Sequence, residues 1–326
     1  MVTKRRLLSL ACGAGLASMA STAWQDAQAQ QWPAKPIRII ESFPAGVARD
    51  ARTRVIAEKL TGILGQQVYV ENRPGAGGRI GMQAAASAPP DGYTFTMLGL
   101  TDIVNKYLYS LSYDPERDLI PITMVETLPV VLIVRPSLPV KTLNELITYA
   151  KGHAGEMTYG STGAGSFFHL NALTFINLTK ANLRHVPYGQ GSLTSDLLGG
   201  HIDMVLDAVP AYLENLKAGK LRALALTGDK RATAMPDVPT FTESGLPAYD
   251  RIAFYGMAAP KGTPEDIIAR MQKALSQILR EPELQRQWTS EGGNPIGSTP
   301  AEFAAGLRAQ SEYFAKFIRD NNLKIE

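Results

Sequence analysis

Cysteine is almost missing from this chain. The one present, Cys12, falls in a segment read below as a removable leader. Without it there is no disulfide, no thiol nucleophile and no thiolate metal site. Histidine is scarce as well, with four residues at positions 153, 169, 185 and 201. No two are closer than sixteen residues and no carboxylate cluster accompanies them, so a metal centre is not expected. Their even spacing is read as chance, because their surroundings differ. An excess of charge is lacking too. Removing residues 1–29 takes away Lys4, Arg5, Arg6 and Asp26, leaving 30 basic against 29 acidic residues. So even a balance argues against nucleic acid or an anionic membrane surface as partner. Beyond residue 29 no stretch approaches the ~18 consecutive apolar residues that a membrane helix needs.

Catalytic and nucleotide signatures are absent in the same way. Neither RPGAGGRIG (residues 73–81) nor TGAGSFF (residues 162–168) fits G-x-G-x-x-G, and no G-K-[ST] occurs. No cofactor is expected. Ser161, His169 and Asp207 could be written as a hydrolase triad. However, no G-x-S-x-G elbow surrounds Ser161, Ser166 or Ser192, and the chain is read as a non-enzyme.

What is there begins with the leader. Lys4, Arg5 and Arg6 precede an apolar run over residues 7–20, and Ala27-Gln28-Ala29 supplies an A-x-A cleavage site. This is the pattern of a secretory signal peptide over residues 1–29. The remaining length suits about two domains, and 45% hydrophobic with 19% charged residues describes a soluble globular protein.

Strand and helix signals then alternate almost to the end. The pattern is organised around residues 43–50, FPAGVARD. An apolar run ends at Ile40, and Val55, Ile56, Leu60, Ile63 and Leu64 recur at helical spacing until Gly65. Strand, tight turn and helix in that order leave backbone N–H groups unpaired at a helix start, where an anion can sit. A second such unit follows, with a strand at residues 157–159, the turn STGAGS at residues 161–166 and a helix from Phe167. Two anion-ready turns suggest two walls of a cleft; either turn alone could be an ordinary connection. Residues 122–135 are apolar and extended around Pro129, and residues 252–259 are apolar and extended again. These two stretches are read as crossings, giving lobe 1 from residues 30–129 and 252–326 and lobe 2 from residues 130–251. Thr142 with Glu145, Thr263 with Pro264, and Thr299 with Glu302 are read as helix starts. Alternation of this kind predicts an α/β protein with mainly parallel sheets flanked by helices.

Several motifs in order resemble one family across the whole mature chain. They are FPAG with Asp50, ENRPGAGG with IG, DGYT, VRPSLPVKTL, YGSTGAGS with HL, HVPY, DLLGG with ID, AGKLRALA, PDVPT with ESGLP, and AP with GTP. The chain is similar in these to the Bug-type substrate-binding proteins of tripartite tricarboxylate transporters. That resemblance implies a two-lobed periplasmic binding protein fold with a ligand cleft between the lobes. It also implies a periplasmic monomer that captures a small carboxylate for membrane transporter subunits. Carried over, the ligand residues are Ala45, Gly46, Val47 and Asp50 on one wall, with Thr101 on the same lobe. Thr162, Gly163, Ser166 and His169 form the other wall, with Asp207 nearby. Three departures adjoin the expected pocket: Val47 where the family usually has glycine, Arg49 beside the turn, and a loop after Tyr188 that is one residue short.

Physical chemistry leaves some roles open. Asp50 is either a helix cap favoured by the dipole or a ligand contact. His169, one turn beyond Ser166, donates to a ligand oxygen or bonds a neighbouring carbonyl. Asp207 would repel an acid, so its expected task is to accept from an amine, hydroxyl or water. Arg49 and Arg79 face either the site or solvent. A ligand sensor that signals to a membrane protein, and a secreted hydrolase, are the alternative functions.

Overall fold

A computed structural model describes residues 32–188 and 193–323 of the 326-residue chain. The leader and its cleavage site, Cys12 and the loop directly after Tyr188 lie outside the described residues. In chain order the first elements are β1 (Ile37–Glu41), α1 (Ala48–Leu64), β2 (Val68–Asn72), α2 (Arg79–Ala86), β3 (Thr94–Gly99) and α3 (Leu100–Leu108). Next come β4 (Leu119–Leu128), β5 (Val130–Val134), α4 (Leu143–Gly152), β6 (Thr158–Ser161), α5 (Phe167–Thr179) and β7 (Arg184–Pro187). Then follow α6 (Leu193–Gly199), β8 (Met204–Ala208), α7 (Leu213–Lys217) and β9 (Arg222–Leu226). The last are β10 (Ala253–Pro260), α8 (Glu265–Leu279), α9 (Pro282–Ser290), β11 (Asn294–Pro295) and α10 (Pro300–Asp320). No described helix is long and apolar enough to cross a membrane.

The strands form two sheets. One has the order β11-β4-β10-β3-β1-β2 and the other β7-β6-β8-β5-β9. Both are mixed rather than mainly parallel, which corrects the sequence expectation. β1 runs parallel to β2 and β3, but β10 is antiparallel to β3 and β4, and β11 to β4. In the second sheet β6 is parallel to β7 and β8, while β5 is antiparallel to β8 and β9. The strands of reversed sense include those next to the passages between sheets, and alternation of strand and helix carries no information about their direction.

The first passage is a single residue. β4 ends in one sheet at Leu128, Pro129 follows, and β5 starts in the other at Val130. Proline has no N–H to give a ladder, so pairing can change there without orphaning a donor. Its carbonyl accepts from Val209, and Val130 donates to the Thr227 hydroxyl at 2.9 Å, both in the second lobe. The return was placed at residues 252–259 by sequence, and this is corrected. Those residues are β10, buried along its length between β3 and β4. The changeover precedes it. Tyr249 packs its ring on Phe175 and Phe241 of the second lobe, whereas Arg251 lies 3.8 Å over the Tyr313 ring of α10.

Local sequence explains the elements that carry the site. β1 buries Ile37, Ile39 and Ile40 completely because it lies between two strands and under helices. Each such side chain contributes about 2 kcal/mol of transfer free energy. α1 packs Ile56 and Leu60 inward and stops at Gly65, whose φ of +70° and bond to the Thr61 carbonyl close the last turn. Ile63, placed on the apolar face by spacing, is exposed. Thr263 does not cap α8; its hydroxyl donates to the Pro260 carbonyl instead. α9 has few apolar residues beyond Leu284 and Trp288 and was not foreseen as a separate helix.

Candidate functional site

The first wall rises from the carboxyl end of β1. Residues 45–48 are exposed there, and Gly46 takes φ +88° with open space around it. Val47 needs no such conformation. It sits at the helix N-cap with φ −72° and ψ 159°, ordinary extended values for a β-branched residue. Its side chain makes no cap, so the first-turn amides of α1 have no side-chain acceptor. A helix start of this kind presents backbone donors of the sort that can receive an anion.

Asp50 braces this turn from behind. It accepts from the Gly46 amide at 2.9 Å, from Arg54 at 2.9 and 3.0 Å, and from Asn72 at 2.8 Å. Burial works to raise its pKa, but the Arg54, Gly46 and Asn72 donors outweigh it and hold the carboxyl below its ordinary value. Its carboxylate is spent inside the first lobe.

Under the turn lies a charge network that sequence reading missed. Arg49, expected at the surface or facing the site, is turned inward, with its side chain only 10% exposed. It donates through Nε to Glu41 at 2.8 Å, through Nη1 to Asp102 at 2.9 Å and through Nη2 to the Ser42 hydroxyl at 2.6 Å. Its guanidinium also lies 4.4 Å over the Phe43 ring. Asp102 further accepts from the Gly99 amide and from Ser42. Burial pushes the Glu41 carboxyl up despite the arginine beside it. Adjacency in sequence hinted at Glu41, but Asp102 comes from another strand end and carried no signal.

α3 faces the second lobe with Thr101, whose hydroxyl oxygen accepts from the Phe167 amide at 3.2 Å. Past its end, the Tyr109 hydroxyl donates to the Ala164 carbonyl at 3.4 Å, and Arg79 lies 3.6 Å over the Tyr109 ring. The edge of the Phe167 ring meets Phe314 of α10 at 5.8 Å. The lobes thus touch at the mouth of the site.

The second wall is the turn at residues 161–166 ahead of α5. Thr162 and Ala164 are exposed, while Gly163 at φ +124° and Gly165 at φ +76° make the bends. Unlike α1, α5 is capped: the Ser166 hydroxyl accepts from the His169 amide at 3.2 Å. His169 turns back on the turn, its Nδ1 accepting from the Gly165 amide at 3.0 Å. The ring is therefore an acceptor there, not the donor to a carbonyl considered from sequence. Its other neighbour is His185. The two imidazoles stack at 4.0 Å and 19°, and His185 stacks in turn on Tyr159 at 4.9 Å. The even histidine spacing thus covers one real encounter. It arises because β7 runs parallel to β6, with His185 opposite Tyr159. Burial pushes the His169 ring down to about 4, helped by the facing His185, and burial lowers His185 too.

Asp207 sits near the end of β8, opposite Val131. Its carboxylate accepts from the Ala208 amide at 2.7 Å and the Tyr212 hydroxyl at 3.0 Å, and burial pushes it up to about 6. The bond it was expected to accept comes from a tyrosine of its own lobe. Ser161, His169 and Asp207 do not assemble as a triad. Ser161 Oγ meets Nε2 of His185, not His169, at 2.8 Å, and Asp207 is engaged elsewhere. Among the described residues no group of three or more His, Cys, Asp or Glu is placed to hold a metal ion. The arrangement offers donors to an anion between two turns, on a bed of neutral rings and paired charges.

Comparison with known proteins gives the family and the fold. The family described as "Tripartite tricarboxylate transporter family receptor" matches residues 52–323. The periplasmic binding protein BugD has a similar fold, with TM-score 0.82 and 30% identity over 90% of this chain and 100% of that one. Rpa4515 of R. palustris, solved with adipate, gives TM-score 0.82 and 30% identity over 88% of this chain and 97% of that one. MatC from Rhodopseudomonas palustris, solved with bound malate, gives 0.80 and 29% over 87% and 99%.

Proposed function

The chain belongs to the tripartite tricarboxylate transporter family of receptors, and from that premise we propose that it captures a small organic acid in the periplasm and presents it to a membrane transporter. It works as a monomeric binding protein and not as an enzyme, exported by a signal peptide, residues 1–29, that is then cleaved. One lobe comprises residues 30–129 and 252–326, the other residues 130–251. The observation that carries the reading is the contrast between the two helix starts. α1 begins without a side-chain cap, with exposed residues 45–48 in front of it, whereas α5 is capped by its own Ser166. An uncapped helix start is an anion site made of backbone donors and dipole, with no arginine required.

In this reading Ala45, Gly46 and Val47 form the carboxylate seat, and Thr101, Thr162 and Gly163 close over it from the rim and the opposite wall. Asp50, Ser166 and His169 act from behind, holding the turns in shape, while Asp207 braces the end of β8. Two proteins of similar fold, solved with adipate and with malate, support an acid ligand. A thermal-shift screen over mono-, di- and tricarboxylates, aromatic acids and amino acids tests it. Some acid raises the melting temperature and is recovered unchanged; a blank screen, or consumption of the acid, overturns the proposal.

A further inference from the structure

We propose that His185 is a positioning residue for the second ligand wall: with His169 it forms a neutral two-imidazole clamp that fixes the peptide orientation of Gly163 and Gly165. This rests on the reading that residues 161–166 face the acid. His185 is outside that turn, on β7, and reaches it through one hydroxyl.

The hydrogen count assigns the direction of each bond. Ser161 Oγ is 2.8 Å from His185 Nε2, 3.1 Å from the Gly163 carbonyl and 3.3 Å from the Gly163 amide. The serine has one proton. If it goes to the Gly163 carbonyl, Oγ is left to accept from both the Gly163 amide and His185 Nε2–H, and all three contacts are hydrogen bonds. If it goes to His185, the serine's contact with the Gly163 carbonyl is lost. The first arrangement satisfies more groups, so His185 carries its proton on Nε2. His169 is assigned in the same way: its Nδ1 accepts from the Gly165 amide, so its proton is also on Nε2.

Each ring therefore holds one half of the turn, His185 through Ser161 to Gly163 and His169 directly to Gly165. Their stacking at 4.0 Å joins the two halves, with Tyr159 behind as a third ring. Gly163 at φ +124° is the residue most in need of such support, since its carbonyl also accepts from the Ser166 amide at the helix cap. A proton added to His169 Nδ1 would remove the acceptor of the Gly165 amide, and the burial that lowers both pKa values opposes charging either ring.

The test uses the full mature chain labelled with ¹⁵N, with malate and adipate as probes. At pH 7 both rings give the neutral Nε2–H signature by imidazole nitrogen shifts. His185→Phe retains a ring for stacking but removes the donor to Ser161; His185→Gln retains a donor but removes the stack. In His185→Phe the Gly163 amide resonance moves, and affinity for whichever probe binds falls about five- to tenfold, the scale of one hydrogen bond. His185→Gln recovers part of that loss. An Nδ1–H or charged His185, or an unmoved Gly163 amide in His185→Phe, overturns the proposal. If neither probe binds the wild type, the acid-binding reading is what suffers, and the resonances alone decide the clamp.

Discussion

A nearly buried guanidinium between two buried carboxylates is an all-or-nothing arrangement. Removing Arg49 leaves Glu41 and Asp102 facing each other without a counter-charge. Arg49→Met is expected to cost about 3–5 kcal/mol in urea unfolding, the scale for breaking a buried pair. The triple variant that adds Glu41→Gln and Asp102→Asn recovers most of that loss. Asp207 gives a prediction that depends on pH. Burial pushes its carboxyl up to about 6, so the folded chain keeps a proton that the unfolded chain has lost above about pH 4. Its contribution is thus present below about pH 4 and lost as pH rises to about 6. Asp207→Asn, which can keep both the Ala208 and Tyr212 contacts, is expected to add on the order of 2 kcal/mol at pH 7.5 and far less at pH 4. Denaturation at the two values checks the difference. The histidine pair has the opposite sign: its contribution is present above about pH 6.5 and lost on acidification. Of these residues the sequence announced His169, in the HL that follows YGSTGAGS, and Asp207, at the carboxyl end of a strand. The roles of Arg49 and His185 were illegible because each is defined by a partner on another element, Asp102 of α3 and Ser161 of β6.

Among the elements, strands and helices with strong local signals fell close to where periodicity placed them. The capping box of Thr299 and Glu302 is formed in full, with bonds of 3.2 and 2.8 Å. Pairing was the hidden quantity. Nothing in residues 252–259 distinguishes a strand that bridges lobes from one lying at the centre of a sheet, since both are apolar and extended. Glycines separate two mechanisms that sequence treats alike. At Gly46 an added Cβ meets nothing within 4 Å, so only the left-handed φ of +88° resists substitution. At Gly81 the φ is ordinary for a helix, but a Cβ would lie 2.7 Å from Ser42 Cα and 2.9 Å from the Arg73 carbonyl. Gly46→Ala should therefore cost about 1 kcal/mol, while Gly81→Ala must push α2 off the β1 turn and costs more. Calorimetric melting of both variants ranks them; a larger loss at Gly46 would contradict the packing argument.

At the scale of the whole molecule, the lobes meet through the Thr101–Phe167 and Tyr109–Ala164 bonds and the Phe167–Phe314 contact. These bonds favour a closed arrangement before any acid arrives, so binding has less closure to drive. Thr101→Val with Tyr109→Phe removes both hydrogen bonds. The unliganded double variant is expected to show a larger radius of gyration by small-angle scattering than wild type, and an acid from the screen should reverse it. Equal radii would mean that apolar packing alone holds the lobes. The place of β10 between β3 and β4 has a further effect, on the order in which the protein can come into being. As the chain is made from its first residue, every strand of the second sheet has appeared by Leu226, and that lobe can fold at once. The first lobe has β1 to β4 much earlier, but β3 and β4 have no edge to share until residues 253–260 emerge to lie between them. The half that carries the α1 anion seat is begun first and finished last, so a ribosome must traverse the whole second lobe before the binding cleft can exist.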